Sequence, residues 1–189
     1  MRLSLLLPAV VALISLATIS PAMADAGGGP AVAPDRTGCP IEAWGSLPRD
    51  APGMAPGFID QVRIGQGPCA DRIVFDVTGP TPGWHVAYVS QITQDGSGRV
   101  LPVAGGARLL IVIRTNAHNI DTGVVTLQRL PNVPPGFRTF RGLVFAGDFE
   151  GITTLGLGVR TRLPFRTFSL PGPKKGHNRV IIDVAHTWR

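Results

Sequence analysis

The sequence predicts an all-β fold, a β-sandwich, preceded by a removable leader and a short tether. Three observations carry this expectation. Glycine (24) and proline (18) together make up over a fifth of the 189 residues, yet hydrophobic residues hold at 44%. Gly and Pro cost roughly 1 and 3 kcal/mol per helix-interior position, which excludes a helical bundle. The apolar fraction, in turn, excludes a disordered polar chain. From Phe58 onward, short apolar runs recur between turn signals, the pattern of a sandwich or barrel.

The leader comes first. Arg2 opens a short positive region, Leu3 to Ile19 is mostly apolar, and Ala22-Met23-Ala24 has the small-x-small form of a signal-peptidase site. Residues 1–24 therefore read as a signal peptide. The rival reading, a retained anchor, has only 17 residues of mixed apolarity and makes a marginal span. No later apolar run is long enough for a stable transmembrane anchor, and no lipid-anchor motif precedes Cys39, which follows Arg36-Thr37-Gly38. Residues 25–38 are rich in Gly, Pro and Ala and read as a flexible linker. The β domain is expected over residues 39–189, secreted or lodged in the cell envelope.

Two cysteines in an exported chain most simply pair. A Cys39–Cys69 bridge would close a loop of about 31 residues, worth roughly 3.5–4 kcal/mol in the chain-entropy model. A metal site would need two further ligands at suitable spacing, and none is near. Between the cysteines, Cys39 to Gly57 holds four prolines and Trp44 and reads as an irregular ordered segment.

The strands then follow in order as Phe58–Ile64, Arg72–Val77, Trp84–Ser90, Arg108–Arg114, Val124–Leu127, Leu143–Ala146, Thr153–Arg162, Phe165–Leu170 and Arg179–Val184. Most are separated by Gly/Pro/Asp clusters such as Asp95-Gly96-Ser97-Gly98 and Pro171-Gly172-Pro173. Arg108–Arg114 is apolar on both faces, which predicts a central strand covered on both sides. Thr115 to Arg141 has little periodicity and reads as the long loop. Asp71-Arg72-Ile73-Val74-Phe75-Asp76-Val77 is echoed by Asn178-Arg179-Val180-Ile181-Ile182-Asp183-Val184. If the two strands pair antiparallel, Arg72 faces Asp183 and Asp76 faces Arg179; parallel in-register pairing would oppose like charges. A chance echo, or two strands at opposite edges of a pseudo-symmetric sandwich, are the alternatives.

The chemistry is sparse. There is no nucleophile elbow, no H-E-x-x-H, no phosphate-binding loop and no Cys/His zinc spacing, so no cofactor is called for. Asp148 and Glu150 form a close carboxylate pair between Gly147 and Gly151. Such a pair can serve acid–base chemistry or hold a hard cation, or can simply face water in a hairpin. Beyond it, Gly156, Gly158, Arg160 and Arg162 fall on one face of a strand, so two guanidiniums flank what reads as a bare glycine floor. Either this floor receives an anion or the glycines permit close packing. The formal net charge is +6, with 18 basic residues that are nearly all arginine. Nucleic acid is the usual partner of a basic domain. Export makes no nucleic acid the expectation here and substitutes an anionic envelope component.

Several blocks resemble the AMIN-like domain of actinobacterial secreted proteins and lipoproteins. They are Val144-Phe145-Ala146-Gly147-Asp148-Phe149-Glu150-Gly151, Leu155-Gly156-Leu157-Gly158-Val159-Arg160, Leu163-Pro164-Phe165-Arg166 and Val180-Ile181-Ile182-Asp183-Val184-Ala185-His186. Trp44-Gly45-Ser46 and Asp71-Arg72-Ile73-Val74-Phe75-Asp76 agree as well. The resemblance implies kinship with AMIN domains, non-catalytic β-sandwich modules that position envelope machinery on peptidoglycan. The expectation is thus a non-enzymatic module associating with cell-wall glycan or another anionic envelope component, with Asp148, Glu150, Arg160 and Arg162 as ligand-binding candidates. The alternatives are a hydrolase or cation-dependent enzyme using Asp148 and Glu150, and a carrier of a small apolar ligand.

Overall fold

The computed structural model describes residues 38–41, 43–127 and 129–188; the expected signal peptide and the linker through residue 37 lie outside them. Eleven strands and no helix form among the described residues: β1 Arg49–Ala51, β2 Phe58–Gln66, β3 Ala70–Thr78, β4 Trp84–Val89, β5 Ile92–Thr93, β6 Val100–Leu101, β7 Ala107–Ile113, β8 Phe140–Phe149, β9 Ile152–Val159, β10 Phe165–Pro171 and β11 His177–Ala185. They build a five-stranded sheet, β1-β4-β7-β9-β8, a four-stranded sheet, β10-β11-β3-β2, and the small hairpin β5-β6. The named pairs are antiparallel throughout.

Period-two alternation makes the core. Ile73, Phe75 and Val77 of β3 and Val180, Ile182 and Val184 of β11 point inward from one sheet. Leu109, Ile111 and Ile113 of β7 and Leu155, Leu157 and Val159 of β9 meet them from the other. Phe75, Phe140 and Phe165 are fully buried and fill the space between the sheets. Each such side chain contributes roughly 1.5–3 kcal/mol on burial, so the inter-sheet seam is the fold's main source of stability.

β7 is central, as its two apolar faces imply, lying between β4 and β9. On its sheet's outer face the chain's own segment from Ser90 to Gly106 lies over β8 and β9, while Leu110 and Val112 of β7 are half-buried. Ile92 is fully buried and sits over Gly156, where an added Cβ would lie 2.6 Å from its side chain. The Ala104 carbonyl occupies the same place over Gly158, and the Asp95 side chain over Gly147. The glycine floor is therefore not bare: these glycines let the crossing segment lie flat on the sheet.

Two of the expected elements differ. Val124–Leu127 is no strand; it makes a single bridge, His118 to Val125, inside the long connection between β7 and β8. Thr126 instead uses its hydroxyl and amide on Ile59 and Ala117 carbonyls, so this stretch staples the loop to β2. The run Thr153–Arg162 stops at Val159, because the Arg160 amide turns to the Thr139 carbonyl. β1, β5 and β6, two or three residues each, are too short to show a period.

Cys39 and Cys69 are disulfide-bonded, with Cα atoms 5.5 Å apart. The bridge holds Ile41 and Trp44 against Ala185, forming a second small apolar cluster beside the main core.

Candidate binding face

The echoed strands are direct neighbours, and their register is the charge-matched antiparallel one. Arg72 pairs with Asp183, Val74 with Ile181 and Asp76 with Arg179. Adding β10 and β2 extends these pairs into three rows across the outer face of the four-stranded sheet. One row runs Arg166, Asp183, Arg72, Gly65; the next Phe168, Ile181, Val74, Arg63; the third Leu170, Arg179, Asp76, Gln61. An apolar stripe of Phe168, Ile181 and Val74 thus lies between two charged rows; in these rows four arginines face two carboxylates, and Asp60 lies beyond them against Thr78 and His177.

Asp183 is the organising group. Its side chain is only 2% exposed and accepts Arg72 Nε at 2.6 Å and Nη2 at 2.8 Å, together with Arg166 Nε at 2.9 Å. The hydrogen bond to Asp183 raises the Arg72 guanidinium above its ordinary pKa, against the opposing effect of burial. Asp76 departs from simple cross-strand pairing. It is held by Arg63 on the diagonal, at 2.5 and 2.8 Å, and that hydrogen bond raises the Arg63 pKa. Arg179 turns to the Pro171 carbonyl instead, at 2.7 Å. Arg166 lies 4.5 Å over the Trp44 ring and 4.9 Å over Phe168, so one guanidinium is within cation–π reach of two aromatics.

The four residues singled out from sequence fall into two separate places. Asp148 and Glu150 flank the tip where β8 turns into β9; Arg160 and Arg162 follow the far end of β9. Eight strand residues separate the two ends, roughly 25 Å at the usual rise. Asp148 Oδ2 lies 2.6 Å from His118 Nδ1, while its Oδ1 is buried without a partner. Glu150 is exposed and occupies the first position of a two-residue hairpin loop with φ of +49°, followed by Gly151 at +75°. Paired positive φ values are the signature of the tight type I′ hairpin turn, and a non-glycine side chain there costs on the order of 1 kcal/mol.

Arg160 and Arg162 are exposed, yet their forks already hold the chain's own groups. Arg160 Nη2 donates to the His186 carbonyl at 2.6 Å. Arg162 donates to Ser46 Oγ at 3.1 Å and the Ser46 carbonyl at 2.9 Å, with its guanidinium 5.1 Å from the Tyr88 ring. Burial raises the Tyr88 pKa, opposed by its hydrogen bond to the Leu163 backbone and by the Arg162 charge. Sequence reasoning missed the laddered face as a site. The parity that places Arg72 and Asp76 together was visible; the β10 and β2 partners were not.

By fold, the protein is a β-sandwich module whose outer four-stranded face carries a basic ladder. The AMIN-like domain family model matches residues 57–186. The chain belongs to that family. The match spans β2 to β11 and leaves out Cys39, Trp44 and β1. No curated protein and no solved structure matches the chain. Among the described residues no helix is long and apolar enough to cross a membrane, and no group of three or more His, Cys, Asp or Glu is placed to hold a metal ion.

Proposed function

We propose that this is an exported, non-catalytic module that associates with the cell wall, gripping an anionic wall polymer with the outer face of its four-stranded sheet. Family membership supports a peptidoglycan-associated role. The observation that carries the reading is the ladder itself. Three arginines share two aspartates and a fourth, Arg179, holds only a backbone carbonyl, and Arg63, Arg72 and Arg166 remain 43–48% exposed. Such a face keeps a positive excess, offers guanidinium N–H groups to oxyanions and has Phe168 and Trp44 for sugar or acyl contact. Arg160 and Arg162 add charge at a neighbouring rim but little fork geometry. Asp148 and Glu150 stand outside the face.

The test is co-sedimentation of the purified chain with isolated cell-wall material. Replacing Arg63 and Arg179 together by Gln removes half of the positive groups and leaves Arg72, Arg166 and Trp44 in place. Binding should fall about tenfold, the loss of one charge-assisted contact's worth of free energy. Added salt should weaken the wild-type chain as well, since exposed charges are screened beyond about 8–10 Å near physiological ionic strength. Binding unchanged by both would contradict the reading.

A second reading has its own observation, the His118–Asp148 contact, which has the geometry of an oriented base. On our account Asp148→Ala with Glu150→Ala leaves wall binding within about twofold, a difference of under half a kcal/mol. Wall hydrolysis by the wild-type chain that disappears in this double variant would establish the enzyme instead.

A further inference from the structure

We propose that the groove beside Trp44 is a subsite for one acidic sugar unit, a pyranose ring bearing a single carboxylate. This deepens the wall-association reading by assigning a ligand class to one end of the same face. The groove has a volume of about 390 Å³, within the range of small-molecule sites. Its walls include Ile41 and Trp44 from the disulfide-held segment and Gly65 from β2; Arg72, Arg166 and Asp183 border it from the sheet.

The charge count selects the ligand. Two guanidiniums share the one Asp183 carboxylate, which leaves one positive charge uncompensated among the described residues. Each arginine commits its Nε and Nη2 to Asp183, so each Nη1 has no partner among the described residues. A guanidinium carries five N–H donors in one plane. With the Nε side occupied, its Nη1–Nη2 edge is left to match the two oxygens of a second planar carboxylate. A single negative charge balances the pair, whereas a doubly charged phosphomonoester exceeds it. The donors are also held in place. Asp183 fixes one side of Arg166, and Trp44 and Phe168 lie within cation–π reach of it, so little rotamer entropy remains to be lost on binding. Trp44, half-buried, brings an apolar ring to the groove against which the C–H face of a pyranose can pack.

Titration calorimetry on the oxidised chain, with N-acetylmuramic acid, N-acetylglucosamine and glucose 6-phosphate as probes, tests this. The first two share a ring and differ by the carboxylate-bearing arm. N-acetylmuramic acid should bind at least about tenfold more tightly than either of the others, the usual worth of a charge-assisted pair. Arg166→Lys keeps the charge but loses the fork and should weaken binding about tenfold. Gly65→Leu should abolish it. A Cβ at Gly65 meets nothing within 4 Å and the backbone there has no positive φ, so this variant blocks the groove without disturbing the sheet. Equal binding of the acidic and neutral sugars, preference for the phosphate, or undiminished binding by Gly65→Leu would each overturn the subsite. Salt-sensitive wall binding without N-acetylmuramic acid binding overturns the subsite and leaves the wall reading standing. N-acetylmuramic acid binding without wall sedimentation supports the subsite and removes the wall reading.

Discussion

Replacing Asp71 by alanine is expected to destabilise the fold by about 3–5 kcal/mol, a large share of the 5–15 kcal/mol that typical domains possess. Asp71 is fully buried on the core side of β3. Its Oδ2 accepts the Thr139 and Phe140 amides at 2.6 and 2.9 Å, and its Oδ1 lies 3.0 Å from His186 Nε2. Phe140 opens β8 in the other sheet, and the Thr139 hydroxyl donates to the Ala185 carbonyl at the end of β11. One carboxylate therefore ties both sheets and the segment after β11 together. Alanine leaves two backbone amides and an imidazole without an acceptor, each costing roughly 1–3 kcal/mol. Asp71→Asn keeps an oxygen for the two amides but turns an N–H toward His186 Nε2, which moves the ring proton to Nδ1, a nitrogen buried without a partner; it should cost about 1–3 kcal/mol, less than alanine. Urea unfolding checks both. The midpoint should drop in that order with the slope unchanged, and near-equal small losses would show that the network carries little.

Removal of the disulfide should have a comparable effect. Cys39 and Cys69 are 30 residues apart. The Cys39→Ser/Cys69→Ser variant should lose about 3.5–4 kcal/mol if the bridge acts through the unfolded chain. It should also release Ile41 and Trp44 from Ala185, because that small cluster is built around the bridge. The expected signature is lower stability with loss of groove binding, while the salt-sensitive wall binding of the remaining face is weakened but retained. A variant as stable as the wild type would show that the second cluster holds without the bridge.

Much of this architecture was legible because a strand's two faces are written in alternate residues. The parity of Arg72-Ile73-Val74-Phe75-Asp76 separated core from surface, and opposite charges in two similar runs favoured the antiparallel register on the condition that the strands are neighbours, an adjacency that the fold supplies. The same parity puts Asp71 with Ile73 and Phe75, but what makes that place tenable for a carboxylate, Thr139, Phe140 and His186, lies 68 to 115 residues away and leaves no local signal. Gly156 and Gly158 were correctly assigned to the outward side, but sequence could not say that Ile92 and Ala104 return to cover them. That covering is a long-range packing event with no local signal. The candidate site was less legible for the same reason. Arg160 and Arg162 read as free guanidiniums until Ser46, His186 and Tyr88 are brought beside them, whereas Arg166, unremarkable in sequence, gains its place from Trp44, Phe168 and Asp183.

Which face meets the wall is the central claim, and arginine-selective chemical footprinting reads it residue by residue. The purified chain is modified with an arginine-specific dicarbonyl, free and bound to isolated wall material, and the modified sites are located by mass spectrometry. The account predicts protection of Arg63, Arg72, Arg166 and Arg179 in the bound state, with Arg99, in the β5–β6 hairpin of the segment that covers the five-stranded sheet, modified as in the free chain. Protection concentrated at Arg160 and Arg162 with the ladder arginines still reactive would contradict it, and would return the site to the far end of β9.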